Sequence, residues 1–192
     1  MYSLFMGRTK RSLKTKSLSY CGLFVALIAI GAFIKIPVPV VPFTLQYLFT
    51  MLAGLILGRY YGTMAVLGYI AIGLLGFPIF AEGGGIWYVL KPSFGYLIGF
   101  ALGTYVTGAL AAGNKSKALS GYLIANFAGL LVVYAVGMFY YYVICNFVLE
   151  APIALWPLFL YCFVLAVPGD ICLCILAGIM AKRLLPLLSF ER

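Results

Sequence analysis

Asp170 is the one charged residue inside the apolar run from Leu158 to Ala181, and Pro168-Gly169 stands directly before it. A carboxylate near the middle of a bilayer costs about 2.5–3.5 kcal/mol on insertion scales, so it must face protein or water and marks a site by default. Asn126 is a second polar group deep in an apolar stretch, Ala118 to Leu149. An acceptor carboxylate with an amide suits a neutral ligand that carries N–H donors and a carbonyl. Catalysis fits poorly. With no histidine and one acid expected to be buried, neither an acid–base dyad nor a nucleophile–base triad can be drawn. The five cysteines, Cys21, Cys145, Cys162, Cys172 and Cys174, lie in apolar runs without zinc-type spacing. They read as small packing residues, and no metal or cofactor is expected.

The elements that must position these groups are membrane helices. The chain is 65% hydrophobic and 9% charged, where a soluble domain is nearer a quarter charged. Its length suits a bundle of about six helices at about 20 residues each. Residues 1–17 form a basic tail with Arg8, Lys10, Arg11, Lys14 and Lys16 and no acid; residues 18–183 form a single membrane domain; residues 184–192 form a short C-terminal tail. The net charge of +9 does not call for nucleic acid, because a basic tail before a membrane helix already has a cause in topology. A signal peptide is disfavoured by the length of the apolar stretch that follows and by the absence of a small-residue cleavage site.

Leu18 to Ile34 is the first apolar run, and its small residues Gly22, Ala26 and Ala29 at helical spacing allow close approach of another helix. The stretch from Ile36 to Pro42 holds three prolines and cannot continue a helix; it is expected to be an extended outer connection. Helix two is expected from about Phe43 to Gly58, interrupted by Thr44, Gln46 and Thr50, with a tight inner turn at Gly58-Arg59-Tyr60-Tyr61-Gly62. Tyr60 to Ala81 would be helix three. Glu82, the glycines Gly83, Gly84 and Gly85, then Trp87, Tyr88 and Lys91 form an outer lid with charge, aromatic faces and backbone freedom. It matches no nucleotide-binding loop. Ser93 to Gly113 is helix four, Ala118 to Leu149 helix five, and helix six ends at Lys182-Arg183. Asn126 would lie roughly 12 Å from the inner end of its helix, with Tyr134 to one side.

Six crossings with both termini cytoplasmic place Arg8, Lys10, Arg11, Lys14, Lys16, Arg59, Lys115, Lys117, Lys182, Arg183 and Arg192 inside, and only Lys35 and Lys91 outside. That bias fits the positive-inside rule. A channel is disfavoured because the chain has no ring of charges and no repeated filter. A stand-alone ion-coupled carrier using Asp170 as relay remains open, although no duplicated half is visible. The favoured class is a binding bundle, with Asp170, Asn126, Tyr134, Gln46 and the outer loop as binding groups. Uphill transport would then need ATPase partners.

Several stretches carry a resemblance. They are Gly31-Ala-Phe-Ile-Lys-Ile-Pro-Val-Pro-Val-Val-Pro-Phe-Thr-Leu-Gln46, Leu52-Ala-Gly-Leu-Ile-Leu-Gly58, Gly76-Phe-Pro-Ile-Phe80, Gly83-Gly84-Gly85, Pro92-Ser-Phe-Gly-Tyr-Leu-Ile-Gly-Phe100, Asn126 with Gly129, and Pro168-Gly-Asp170. Together they resemble the BioY family, the biotin-specific substrate-binding subunits (S components) of energy-coupling-factor transporters. The resemblance implies a six-helix S-component fold in the cell membrane that binds biotin near the outer face. It also implies two ATPase subunits and a coupling transmembrane subunit, the last docking on Gly22, Ala26 and Ala29. The acid matching Asp170 is expected to contact biotin.

One departure matters. The family pattern places a lysine one turn after the acid, available to the ligand carboxylate, and here that position is Leu173. Lys91 stands where a loop glycine is usual, so it is a candidate replacement for the lost cation from the opposite wall. An altered ligand lacking the carboxylate is the alternative.

Overall fold

Long uninterrupted apolar runs have to satisfy their own backbone in lipid, and they do so as helices. The computed structural model describes residues 2–36, 43–114, 116–149 and 151–188, with side chains from Thr15 onward. Helix α1 runs over Tyr2–Phe33, α2 over Gln46–Leu74, α3 over Phe94–Gly113 and α4 over Leu119–Phe147. The last crossing is assembled from α5 (Leu155–Phe159), a wide π turn (Leu160–Val164) and α6 (Val167–Leu184). A two-residue antiparallel pair, β1 (Lys35–Ile36) and β2 (Phe43–Thr44), and a 3₁₀ turn (Ile86–Leu90) complete the described elements. The proline-rich stretch 37–42 lies outside the described residues, as do Lys115, Glu150 and Arg192.

The protein is all-helical, and five helices are long and apolar enough to cross a membrane: Thr15–Phe33, Gln46–Leu74, Phe94–Gly113, Leu119–Phe147 and Leu155–Leu184. The second contains a break. Gly58 takes φ 78° and ψ 178°, a conformation that costs a side-chain-bearing residue strain. The chain reverses there: Gln46 Nε2 donates to the Tyr69 hydroxyl at 2.7 Å, whereas a straight helix would set the two roughly 34 Å apart at 1.5 Å per residue. Gly62 makes the reversal tight, since a Cβ there would meet the Ala53 carbonyl oxygen at 2.7 Å. The arms 46–57 and 59–74 are thus antiparallel neighbours.

Other boundaries differ from the expectation for local reasons. The arm after Gly58 stops at Leu74 rather than Ala81, because Gly76 takes φ 110° and turns its N–H back to the Gly73 carbonyl, and Pro78 keeps the helix from resuming. Helix α2 begins at Gln46 because Phe43 and Thr44 pair with Ile36 and Lys35. The basic segment at the N-terminus continues the backbone of α1, which starts at Tyr2.

Glycine faces set the packing order α1–α2–α3–α4, with α6 closing against α4 and α2. Gly95, Gly99 and Gly103 stand one turn apart on α3. A Cβ on Gly103 would sit 3.0 Å from the Gly129 carbonyl oxygen of α4, and one on Gly129 equally close to the Gly103 carbonyl oxygen. Such small-residue contacts replace hydrophobic drive between membrane helices. Thr107 Oγ1 donates to the Ala125 carbonyl at 3.2 Å and Thr104 Oγ1 to the Thr50 carbonyl at 3.2 Å. Helix α3 is central: 61% of its apolar window is buried, against 28% for the first and last spans.

Candidate ligand-binding site

A cavity lies at the end of the bundle where β1–β2 meets the loop from Leu75 to Ser93. Its empty volume is about 670 Å³, open solvent at the mouth included, within the range of small-molecule sites. Each wall follows from a local feature of the chain. Phe43 and Thr44 enter from β2 and Gln46 and Tyr47 from the first turn of α2; Tyr96, Leu97 and Phe100 share one face of α3 at helical spacing with Ser93 before it. Val133 and Tyr134 come from α4, and Cys162, Ala166 and Asp170 from the interrupted last crossing.

Asp170 sits in the first turn of α6, where the positive end of the helix dipole favours a carboxylate. Pro168 and Gly169 start the helix there. Gly169 also leaves room for the Phe43 ring, since a Cβ would lie 2.6 Å from the Phe43 Cε2. Tyr134 donates its hydroxyl to Asp170 Oδ2. Tyr134 is held edge-on by Tyr96 at 6.3 Å and by Phe163 at 5.1 Å. The carboxylate is therefore aimed, half-buried, and still has an oxygen for a ligand. None of the lining residues is basic.

Around this acid the cavity is aromatic and hydrogen-bonding. Tyr47 stacks on Phe100 at 5.9 Å with 18° between the planes. Thr44 Oγ1 donates to Gln46 Oε1, Gln46 donates to the Tyr69 hydroxyl, and Tyr69 donates to the Ile79 carbonyl at 2.8 Å. That relay ties the start of α2 to the loop. Among the described residues, two buried groups on lining residues, Ser93 Oγ and the Tyr96 hydroxyl, make no geometrically complete hydrogen bond, Ser93 lying beside the Tyr88 hydroxyl and Tyr96 beside the Cys162 thiol. Buried polar atoms are ordinarily satisfied, so these two are open to a ligand or water.

Of the residues singled out by sequence, Asp170, Tyr134, Gln46 and Tyr88 line the cavity. Asn126 is fully buried outside that wall. Its Nδ2 donates to the Cys174 carbonyl at 2.9 Å, and the Tyr47 hydroxyl donates to its backbone carbonyl at 3.1 Å, so it links α2, α4 and α6. Its Oδ1 has no hydrogen-bond partner among the described residues. Leu173, at the position of the expected lysine, is buried in the core.

The loop is pinned by Phe80, which is buried against Tyr69 and Tyr88 at ring distances of 5.4 and 4.5 Å. Gly83 (φ 117°) and Gly85 (φ 99°) adopt backbone that other residues resist, and Gly84 lies against the Phe77 carbonyl too closely for a Cβ. Gly83 exchanges backbone hydrogen bonds with Phe80, and the Gly85 N–H donates to the Gly73 carbonyl at 2.7 Å. The glycines thus shape the loop without lining the cavity. Trp87 is 79% exposed. Lys91 is outside the lining set: its Nζ pairs with Glu82 Oε2 at 3.3 Å, reaches the Glu82 carbonyl at 3.1 Å, and lies 5.0 Å over the Tyr88 ring. Burial pushes the Tyr88 phenol above its ordinary range.

Thr44, Tyr47, Ser93 and Tyr96 were not among the candidates. The signal for two of them was available, because Ser93 and Tyr96 fall three residues apart inside the Pro92–Phe100 stretch. On α1 the small-residue stripe faces away from the core at Gly22 and Ala26, both exposed, while Ala29 is partly buried. Cys21, Phe24 and Ile28 bury the other face. A Cβ on Gly22 would meet nothing within 4 Å.

A bundle of membrane-length helices around a mainly aromatic and apolar cavity that holds one carboxylate defines an integral membrane protein with a site of small-molecule size. The chain belongs to the BioY family, whose model matches residues 7–190. It is 47% identical over 170 residues to the probable biotin transporter BioY of Lysinibacillus sphaericus, covering 88% of this chain and 87% of that one. It is 45% identical over 125 residues to the biotin transporter BioY of Thermotoga maritima, covering 65% and 73%. Among solved structures it resembles the S-component for biotin from an ECF-type ABC transporter, with a TM-score of 0.79 and 30% identity over 94% of this chain and 96% of that one.

Proposed function

We propose that this chain binds biotin and delivers it across the cell membrane as the substrate-binding subunit of an ECF-type ABC transporter, with a coupling membrane subunit and two ATPase subunits supplying the work. The observation that carries the proposal is the Asp170–Tyr134 pair inside a cavity that the Ser93 and Tyr96 hydroxyls also line, neither making a geometrically complete hydrogen bond among the described residues. A cyclic urea offers N–H donors to the carboxylate and a carbonyl to the hydroxyls, while its apolar remainder suits Tyr47, Phe100 and Val133. In this proposal Asp170, Tyr134, Gln46 and Tyr88 touch the ligand and Asn126 supports the floor. Glu82, Gly83, Gly84, Gly85, Trp87 and Lys91 belong to the loop covering the mouth.

The arms of α2 make two crossings, giving six in all with both termini cytoplasmic. Arg59 at the Gly58 turn packs beside Gly108 near the C-terminal end of α3, while Lys35 and Lys91 lie at the cavity end. That segregation supports a cavity facing outward. The exposed Gly22–Ala26 face of α1, continued by Ala29, is proposed to receive the coupling subunit.

Titration of the purified protein with biotin, desthiobiotin and biotin methyl ester tests the binding role; no heat and no thermal shift with any of the three would overturn it. Reconstitution in vesicles tests the coupling role. ATP-dependent uptake only with the partner subunits is expected, and proton-driven uptake by this chain alone would instead establish the stand-alone carrier.

A further inference from the structure

The cavity presents a problem of charge. Asp170 is its one acid and no base lines it, yet biotin ends in a carboxylate. Burying a second anion beside the first without a counter-ion is costly. The acid end must therefore be read elsewhere, and the mouth is where cations occur.

Two lysines stand there, in different electrostatic states. Lys91 is committed to Glu82 at 3.3 Å. Lys35 has no acid partner among the described residues: its Nζ donates to the backbone carbonyl of Ala81 at 2.9 Å. Two separate contacts fix Lys35 against the cavity wall. Its backbone pairs with Thr44 in the β1–β2 ladder, and its side chain ends on Ala81; Thr44 and Ala81 both line the cavity. The side chain therefore crosses from the first loop to the second beside the opening. An ammonium has three donors, and Ala81 takes one. Lys35 is exposed, so pairing there does not require desolvating a cation in the core.

We propose that Lys35, held across the cavity mouth, is the specificity residue that reads the ligand carboxylate, while the urea end of the ligand points inward to Asp170. This rests on the biotin proposal. The ligand then lies with its neutral polar end buried, its apolar arm between the aromatic walls, and its anion at the rim. It also fits a buried Leu173: with the anion at the rim, the ligand carboxylate calls for no cation at that position.

The test compares biotin with biotinamide, which lacks the charge, on wild type, Lys35→Gln and Lys35→Arg by titration calorimetry in detergent. Wild type is expected to prefer biotin by about two- to fivefold, the preference shrinking as salt rises because the pair is exposed. Lys35→Gln should lose that preference while binding biotinamide as wild type does, and Lys35→Arg should keep most of it. Equal binding of biotin and biotinamide by wild type would overturn the inference while leaving the biotin proposal standing, and the wild-type salt series needs no variant to fold. A Lys35→Gln variant that weakens both ligands alike would also overturn it, by reducing Lys35 to a loop tie. If wild type binds neither compound, the biotin proposal falls and this inference with it.

Discussion

Replacing Asp170 with asparagine separates binding from stability. In the free protein Asp170 Oδ2 accepts the Tyr134 hydroxyl, and an asparagine carbonyl oxygen can accept the same bond. The second carboxylate oxygen, which the proposal turns to the ligand, becomes an amide donor and opposes the N–H groups of a urea. The loss is one hydrogen bond to a charged acceptor, worth about 1.5–3 kcal/mol. At about 1.4 kcal/mol per decade this weakens biotin binding by about 10- to 150-fold. Folding should change little, because the acid loses a favourable interaction with the start of α6, about 0.3–1 kcal/mol, while the cost of burying its charge is relieved. Titration calorimetry and thermal unfolding on the same detergent preparation check both parts. Affinity within about threefold of wild type would refute the role assigned to Asp170; a loss of affinity matched by a large drop in melting temperature would refute the separation.

Gly58→Ala should cost about 1–2 kcal/mol through backbone strain alone, since a Cβ there meets nothing within 4 Å; thermal unfolding should register it while biotin affinity is kept. Gly103→Leu should be far more disruptive, because its Cβ would already lie 3.0 Å from the Gly129 carbonyl oxygen, and loss of the monodisperse folded species on size exclusion is the expected result. Asn126→Ala removes the donor to the Cys174 carbonyl inside the core, and should destabilise by about 1–3 kcal/mol in unfolding experiments. Gly22→Trp adds bulk to an open face; it should leave biotin binding intact and abolish uptake in vesicles with the coupling partners, and unchanged uptake would remove α1 as the docking surface.

Much of the fold was legible because a bilayer leaves so few options. Apolar length marks each crossing, and the arms of α2 could be separated at Gly58-Arg59 from composition alone. Two ends were not legible. The arm after Gly58 was expected to reach Ala81, since nothing in its hydropathy distinguishes Leu74 from the loop that follows; the turn at Gly76 and Pro78 decide it. The last crossing breaks into α5, a π turn and α6, whereas the proline and glycine before Asp170 suggested only a local break.

For the site, a lone acid in an apolar run is conspicuous, because lipid makes every misplaced charge expensive, and Asp170 could be singled out on that basis. The family resemblance likewise follows from loop and glycine motifs that are local in the chain. The partners of Asp170 were not local. Tyr134 lies 36 residues away in sequence, Ser93 and Tyr96 line the cavity from the start of α3, and Asn126 links Tyr47 to Cys174 outside the lining set. The lysines illustrate the difference best. Both Lys35 and Lys91 were visible as basic residues outside the inner cluster, and sequence alone favoured Lys91. Only the folded loops place Glu82 against Lys91 and leave Lys35 opposite Thr44 with its ammonium on Ala81. How each lysine is paired depends on distances across non-adjacent loops, and those distances exist only once the chain has packed.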